Sequence, residues 1–367
     1  MDPLFSEVRL GAARLRNRLA VAPMTTSQSN PDGSPSEAEA RWLERLVDDG
    51  YGMVLTCASA ISRSSIAFAN QLSFGDDAFL PALTALATRL ARPGTLVTAQ
   101  LCHGGSRAIP ALAGQPARSA SRYELPIPGF VPPLELSTAQ IERIIEEFAA
   151  AASRAARAGF GGIELHGANG YLFTQFTSTM TNLRSDAWGG SLENRARFSR
   201  EVVRAVRARV PEGFVVGYRM SFENFGLEKG LDIDENVQVM RWLAEDGIDY
   251  GHVSALDLAA RSVKYPDRIA LAYIRAGGDR ALPLMCAGSV RSRTEAERAL
   301  ELGADLVAIG RAAIGNARVP EKLASGVDLV PTPFGRSHLA ALAVSRDFIG
   351  YMTTAVPVSS LNIVAAE

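Results

Sequence analysis

Short apolar runs alternate with amphipathic helical segments along almost the whole chain, and this alternation limits the fold more than any other feature. Runs that read as buried strands stand near Leu19–Ala22, Met53–Cys57, Leu96–Gln100, Gly162–His166, Val215–Met220, Tyr250–Val253, Leu284–Ala287 and Leu306–Ile309. Between them the apolar spacing predicts helices over Ser36–Asp48, Ala78–Leu90, Thr138–Ala158, Leu192–Ala208, Ile233–Glu245, Arg268–Ala276 and Ser292–Leu302. Strand and helix in alternation argue for a parallel sheet with crossover helices. Eight strand–helix units point to an α/β fold, a single (β/α)8 TIM barrel. The expected organisation is one domain, with the barrel over about residues 17–318, an N-terminal cap and a C-terminal extension over 319–367. An open doubly wound sheet is the alternative. No G-x-G-x-x-G follows a strand, which counts against it.

The longest irregular segment, 103–136, is rich in Pro, Gly, Ala and Ser and holds Tyr123 and Phe130. In a barrel it emerges after the third strand, at the C-terminal face where active sites lie. The segment after Val319 has no evident place in the barrel and is expected to pack on its outside or at a subunit contact.

A formal net charge of −1 gives no electrostatic reason to expect nucleic acid or an anionic membrane as partner. No apolar run is long enough to span a bilayer. The N-terminal residues lack the basic and apolar regions of a signal peptide, so a cytoplasmic location is expected. The cysteines Cys57, Cys102 and Cys286 are isolated, and neither a disulfide framework nor a metal centre is expected.

The chemistry concentrates after the fourth strand, where His166-Gly167-Ala168-Asn169-Gly170-Tyr171 follows the run Gly162-Ile163-Glu164-Leu165. His166 and Asn169 can both donate to one oxygen, and Tyr171 has a phenolic proton to give. A tight turn, Ser185-Asp186-Ala187-Trp188-Gly189-Gly190-Ser191-Leu192-Glu193-Asn194-Arg195, then leads into a helix.

This stretch, H-G-A-N-G-Y-L followed by S-D-x-W-G-G-S-L-E-N-R-x-R-F, resembles the Old Yellow Enzyme family of flavin-dependent ene-reductases. Asn17-Arg18 with Pro23-Met24, and Gln100-Leu101 with His103 and Gly105, are similar to the family's first- and third-strand motifs. The resemblance implies FMN at the strand ends. Pro23 and Met24 would lie beside the isoalloxazine ring, with Thr25 at its C4 carbonyl or N5. Ala58 would let the backbone approach the ring, Gln100 would meet the pyrimidine edge, and Arg219 would stand near N1 and the C2 carbonyl. Gly288, Ser289, Gly310 and Arg311 would hold the phosphate, as Gly backbone and Arg suit an anion. His103 reads equally as a structural histidine. Arg107 is set one place beyond the family's basic residue, with Ser106 between, and is not carried over.

By the same resemblance NAD(P)H is the reductant, and an alkene conjugated to a carbonyl or nitro group replaces it in one pocket. His166 and Asn169 would bind the substrate oxygen and Tyr171 would protonate the α-carbon. The expected protein is a monomer or homodimer acting on a small molecule. Alternatives are a flavin-dependent double-bond isomerase, a longer iron–sulfur relative and a non-catalytic flavin- or phenol-binding protein. The motifs combine features of two branches of the family. His-x-x-Asn and Thr25 match one branch, while chain length and compact loops match the other. Ser27 and Gln28 replace an aromatic that some members place against substrate.

Overall fold

A computed structural model describes residues 2–126, 129–224, 229–355 and 358–365. Eight parallel strands close into a barrel in chain order: Leu19–Val21, Met53–Ala60, Leu96–Cys102, Gly162–Gly167, Val215–Met220, Tyr250–Ser254, Leu284–Ala287 and Leu306–Ile309. The last strand pairs with the first through Val307↔Leu19. The barrel expectation is met, with the strands where the apolar runs stand.

Alternation along each strand divides the apolar residues into two cores. Outward-facing residues such as Val54, Ile163, Val216 and Val307 pack under the helices. Inward-facing Ala20, Met53, Leu55, Leu96, Met285 and Leu306 fill the barrel, and Leu10 and Leu15 of an N-terminal hairpin (Val8–Leu10, Ala13–Leu15) close its lower end. Apolar packing thus occupies the N-terminal half and leaves the C-terminal half to polar side chains.

The helices start where the sequence supplies caps. Ser137 accepts from Gln140 N in a capping box at the start of Thr138–Ala158, and Asp232 accepts from Asp234 N and Glu235 N at the start of Ile233–Glu245. Each such cap contributes on the order of 1 kcal/mol. Gly159 ends the first of these helices at φ 96°, a conformation that disfavours any residue with a Cβ.

The C-terminal extension does more than decorate the outside. Its helix Arg346–Thr354 sets Phe348 edge-on against Trp42 of helix Glu37–Asp48, with ring centroids 5.4 Å apart. Leu339, Val344, Phe348 and Met352 join the main core, and Ser345 N donates to Gln28 Oε1 at 3.4 Å, beside the loop that follows the first strand. The extension thus packs on the outer helix Glu37–Asp48 and also reaches the loop after the first strand.

Helix Glu37–Asp48 also buries an acid. Glu39 has no exposed surface to speak of and accepts from Ser29 Oγ at 2.5 Å and from Cys57 Sγ at 3.4 Å, both neutral donors. Burial without a cation pushes its carboxyl up to about 7. A folded-state value above the unfolded one favours the native state at low pH and is lost as pH rises through about 7. Glu39→Gln is therefore expected to gain roughly 2–3 kcal/mol over wild type at pH 9 and little at pH 5, measured by urea denaturation at the two pH values.

Candidate active site

The fourth strand builds the centre of the site by simple alternation. Glu164 and His166 point into the barrel while Ile163 and Leu165 point to the helices. Beyond His166 the chain turns at Asn169, a non-glycine residue at φ 60°. Such conformations cost energy and persist where surroundings enforce them. Here Asn169 N donates to Ser221 Oγ at 3.1 Å, and Ser254 Oγ donates to Asn169 Oδ1 at 3.5 Å. With its oxygen so used, the amide presents its N–H groups as the donor end.

His166 is buried, and its Nδ1 has no hydrogen-bond partner among the described residues. Burial, with Arg219, Arg107 and His252 nearby, holds its pKa well below the usual histidine value, so the ring is neutral and offers one N–H. A buried polar atom without a partner is costly unless a ligand completes it. His166, Asn169 and Tyr171 stand together as the sequence reading expected.

The Tyr171 ring centroid lies 4.9 Å from that of His166, the two rings tilted by 55°. Burial raises its pKa, so the phenol stays protonated, while the nearby Arg107 charge acts the other way. The Arg107 guanidinium lies 4.6 Å from the Tyr171 ring centroid and donates to the Asn169 carbonyl. Arg107 was set aside from sequence because Ser106 displaces it by one place. The 3-10 turn Gly105–Arg107 brings it to the site nonetheless.

The 103–136 segment is more ordered than its composition suggests. It contains a short helix, Pro110–Ala113, and a two-stranded sheet, Arg118–Ser119 with Leu134–Glu135; residues 127 and 128 lie outside the described residues. Gln175 ties it down: Ser106 N and Ser119 Oγ donate to Oε1, and Nε2 donates to the Gly104 and Gly170 carbonyls. Tyr123 donates to Ser106 Oγ at 2.7 Å and packs on Phe130. His103 is structural: Nδ1 accepts from Gly105 N at 3.0 Å, and burial lowers its pKa to about 3.

The residues expected around a flavin ring converge on the same mouth. The second and third strands slip register between Leu55 and Ala58, and this irregularity turns Ala58 toward Cys102 and Tyr171. Arg219 reaches across the barrel, its Nη1 3.5 Å from the Pro23 carbonyl. Met24 is partly exposed beside Gly310. The Tyr351 hydroxyl of the C-terminal helix stands near Thr25, a neighbour the sequence did not announce.

Gln100 Nε2 donates to Glu164 Oε1 at 2.7 Å, which commits one N–H of the amide and leaves the other N–H and the oxygen. Glu164 is the hub of a buried network that sequence reasoning missed. Tyr250 OH donates to Oε2 at 3.0 Å, and His252 Nδ1 lies 2.9 Å from the same oxygen. Gly217 is required here, because a Cβ would stand 2.0 Å from the Tyr250 ring. Burial works to raise Glu164, but His252, Arg219 and Gln100 outweigh it and hold the carboxyl below its usual value. His252 is pushed down by burial and is neutral, donating from Nδ1. The clue available in sequence was the two-residue period from His166 back to Glu164.

The seventh and eighth strands end at the glycines, Ser289 and Arg311 expected to hold a phosphate. Ser289 adopts φ 60°, and its Oγ donates to the Leu256 carbonyl while Arg311 donates to that Oγ. A Cβ on Gly288 would stand 2.5 Å from Leu258 N, so only glycine passes there. Gly310 begins the turn Arg311–Ile314 that carries the guanidinium. A guanidinium beside a glycine-lined loop suits a phosphate. Together with the partnerless His166 Nδ1, the donor set fits a planar heterocycle carrying a phosphate.

A family model described as the NADH:flavin oxidoreductase / NADH oxidase family matches residues 3–329. The chain is similar to a probable NADH-dependent flavin oxidoreductase, YqiG, of Bacillus subtilis, at 34% identity over 316 residues that cover 84% of each protein. It is 33% identical over 336 residues to an NADH oxidase of Thermoanaerobacter brockii, covering 88% of this chain and 51% of that protein. Among solved structures it superposes on an old yellow enzyme homologue from Zymomonas mobilis with a TM-score of 0.80 and 25% identity, over 92% of this chain and 96% of the other. Morphinone reductase in complex with tetrahydroNAD gives a TM-score of 0.79 and 27% identity over 92% and 93%. The barrel, the His166–Asn169–Tyr171 cluster and these similarities agree: the chain belongs to the NADH:flavin oxidoreductase / NADH oxidase family, the Old Yellow Enzyme family of flavin oxidoreductases.

Proposed function

We propose that the protein binds FMN at the strand ends and uses NAD(P)H to reduce alkenes conjugated to a carbonyl or nitro group. The observation that carries this reading is a neutral, buried His166 with a nitrogen that has no partner among the described residues, next to the donor end of Asn169 and the protonated phenol of Tyr171. Pure binding of an oxygen ligand has no use for that third group.

Bound there, FMN supplies the hydride taken from NAD(P)H. Pro23, Met24, Thr25 and Ala58 would border its ring, with Gln100 and Arg219 at the pyrimidine side. Gly288, Ser289, Gly310 and Arg311 would hold its phosphate. His166 and Asn169 donate to the substrate oxygen, where negative charge grows as the β-carbon is reduced. A donor aimed at developing charge contributes about 3–4 kcal/mol. Tyr171 delivers its proton to the α-carbon, and Arg107 stabilises the phenolate left behind until solvent reprotonates it.

The test is spectroscopic. Purified protein is expected to be yellow, to release FMN on denaturation, and to develop a long-wavelength charge-transfer band with a para-substituted phenol. The double change His166→Ala, Asn169→Ala should abolish that band with FMN retained, and Arg311→Ala should weaken FMN retention. A colourless protein that fails to take up added FMN overturns the reading.

A further inference from the structure

The proton donor Tyr171 has a cation beside it. Arg107 is exposed on its outer side, stacks its guanidinium 4.6 Å from the Tyr171 ring centroid, and donates to the Asn169 carbonyl. It is held there from two directions. The turn Gly105–Arg107 is fixed by Gln175, and Ser106 is fixed by the Tyr123 hydroxyl at 2.7 Å. Among the described residues Arg107 meets the Asn169 carbonyl and the Tyr171 ring face, and no carboxylate there pairs with it. A guanidinium has five N–H donors in a planar fork, and one carbonyl leaves most of them to other acceptors. Its charge acts on His166, Tyr171, Tyr123 and Tyr351. Arg219, which acts more weakly on Tyr171, is positive as well. Glu164 lies deeper and spends its charge on Gln100, Tyr250 and His252.

Resting on the function proposed above, we infer that Arg107 selects substrates that carry a carboxylate near the alkene, so that the preferred substrates are unsaturated keto acids or related anions. The position decides the class. Substrate oxygen is anchored by His166 and Asn169, and the α-carbon faces Tyr171, so a substituent one or two carbons beyond the alkene on that side comes beneath Arg107. A carboxylate there meets a bidentate donor, where a neutral group meets an uncompensated charge. The phosphates of a nicotinamide dinucleotide stand a ribose further from the reacting carbon and are less well placed for this contact.

The test compares one alkene in two charge states, 3-methylene-4-oxopentanoate, whose carboxylate stands one carbon beyond the alkene on its α-carbon, and its methyl ester, with the flavin-loaded enzyme and NADPH. The readout is the ratio of kcat/KM for acid to kcat/KM for ester. Wild type is expected to favour the acid, and Arg107→Gln to lower the ratio on the order of tenfold, as for loss of a charge-assisted hydrogen bond. Arg107→Lys should retain part of the preference, and added salt should lower the wild-type ratio and leave that of Arg107→Gln unchanged. A positioning role through Tyr171 or Asn169 alone would slow acid and ester equally, so an unchanged ratio in Arg107→Gln overturns the inference. So does an effect confined to flavin reduction by NADPH, which assigns Arg107 to the dinucleotide. Failure of the wild type to reduce either compound, or cyclohexenone, would instead count against the proposed function.

Discussion

Tyr171→Phe is expected to separate the two halves of the reaction. Reduction of bound flavin by NADPH should stay near the wild-type rate, because it takes no proton from a phenol. Reduction of an enone such as cyclohexenone should slow by about 10²–10⁴-fold, the usual contribution of a positioned acid. The substitution removes one oxygen and keeps the ring that lies between His166 and Arg107, so packing should change little. Stopped-flow absorbance measures both steps. Loss of flavin colour on mixing with NADPH should be normal, its return with enone slow, and its return with oxygen normal. Normal enone reduction in the phenylalanine variant would remove Tyr171 as the acid. The same chemistry predicts the pH response. Burial raises Tyr171 above the ordinary tyrosine value, so enone reduction in wild type should not lose its acid below about pH 10. Burial lowers His166, so its charge state should not change around neutrality either.

Much of this was legible because barrel architecture repeats simple local rules. The apolar runs at Val215–Met220, Leu284–Ala287 and Leu306–Ile309 are strands over the same residues. Helices Thr138–Ala158 and Ile233–Glu245 start after capping residues that the sequence displays. Departures arise where long-range contact decides. The second strand continues to Ala60 because its pairing with the third resumes after an irregularity, which no local pattern records. The 103–136 segment holds a helix and a small sheet, and Gln175, distant in sequence, bonds its backbone at Gly104 and Ser106 and the Ser119 hydroxyl. Arg107 was discounted on spacing, yet a 3-10 turn supplies what one extra residue takes away. Tyr351 comes from a tail whose relation to the first-strand loop depends on Trp42 and Phe348 meeting in the core. In each case the missing information was a partner far along the chain.

Glu164 was misread as part of an apolar run, and it carries the largest expected effect on stability. Glu164→Ala should destabilise the fold by about 3–5 kcal/mol, the range for removing one side of a buried charged network. Its carboxylate receives Gln100 Nε2, Tyr250 OH and His252 Nδ1 with no water-exposed surface, so truncation leaves three buried donors without an acceptor. Glu164→Gln keeps the shape and one accepting oxygen, but its own N–H groups face other donors, so an intermediate loss is expected. Urea unfolding of the three proteins at neutral pH measures this, and an alanine variant within about 1 kcal/mol of wild type would show that the network does not support the barrel. The pH dependence gives a second check. Glu164 titrates below its unfolded value in the native state, so its contribution is present above the ordinary carboxylate pKa and is lost as pH falls through the lower folded one. His166, His252 and His103 are likewise depressed by burial, and their contribution is present above the ordinary histidine value of about 6.5 and lost as pH falls below it. Wild-type stability should therefore decline in two stages on acidification, the first below about pH 6.5 and the second below about pH 4.3. The alanine variant should keep the first stage and lose that part of the second which belongs to Glu164, because a group that has been removed has no proton to take up on unfolding.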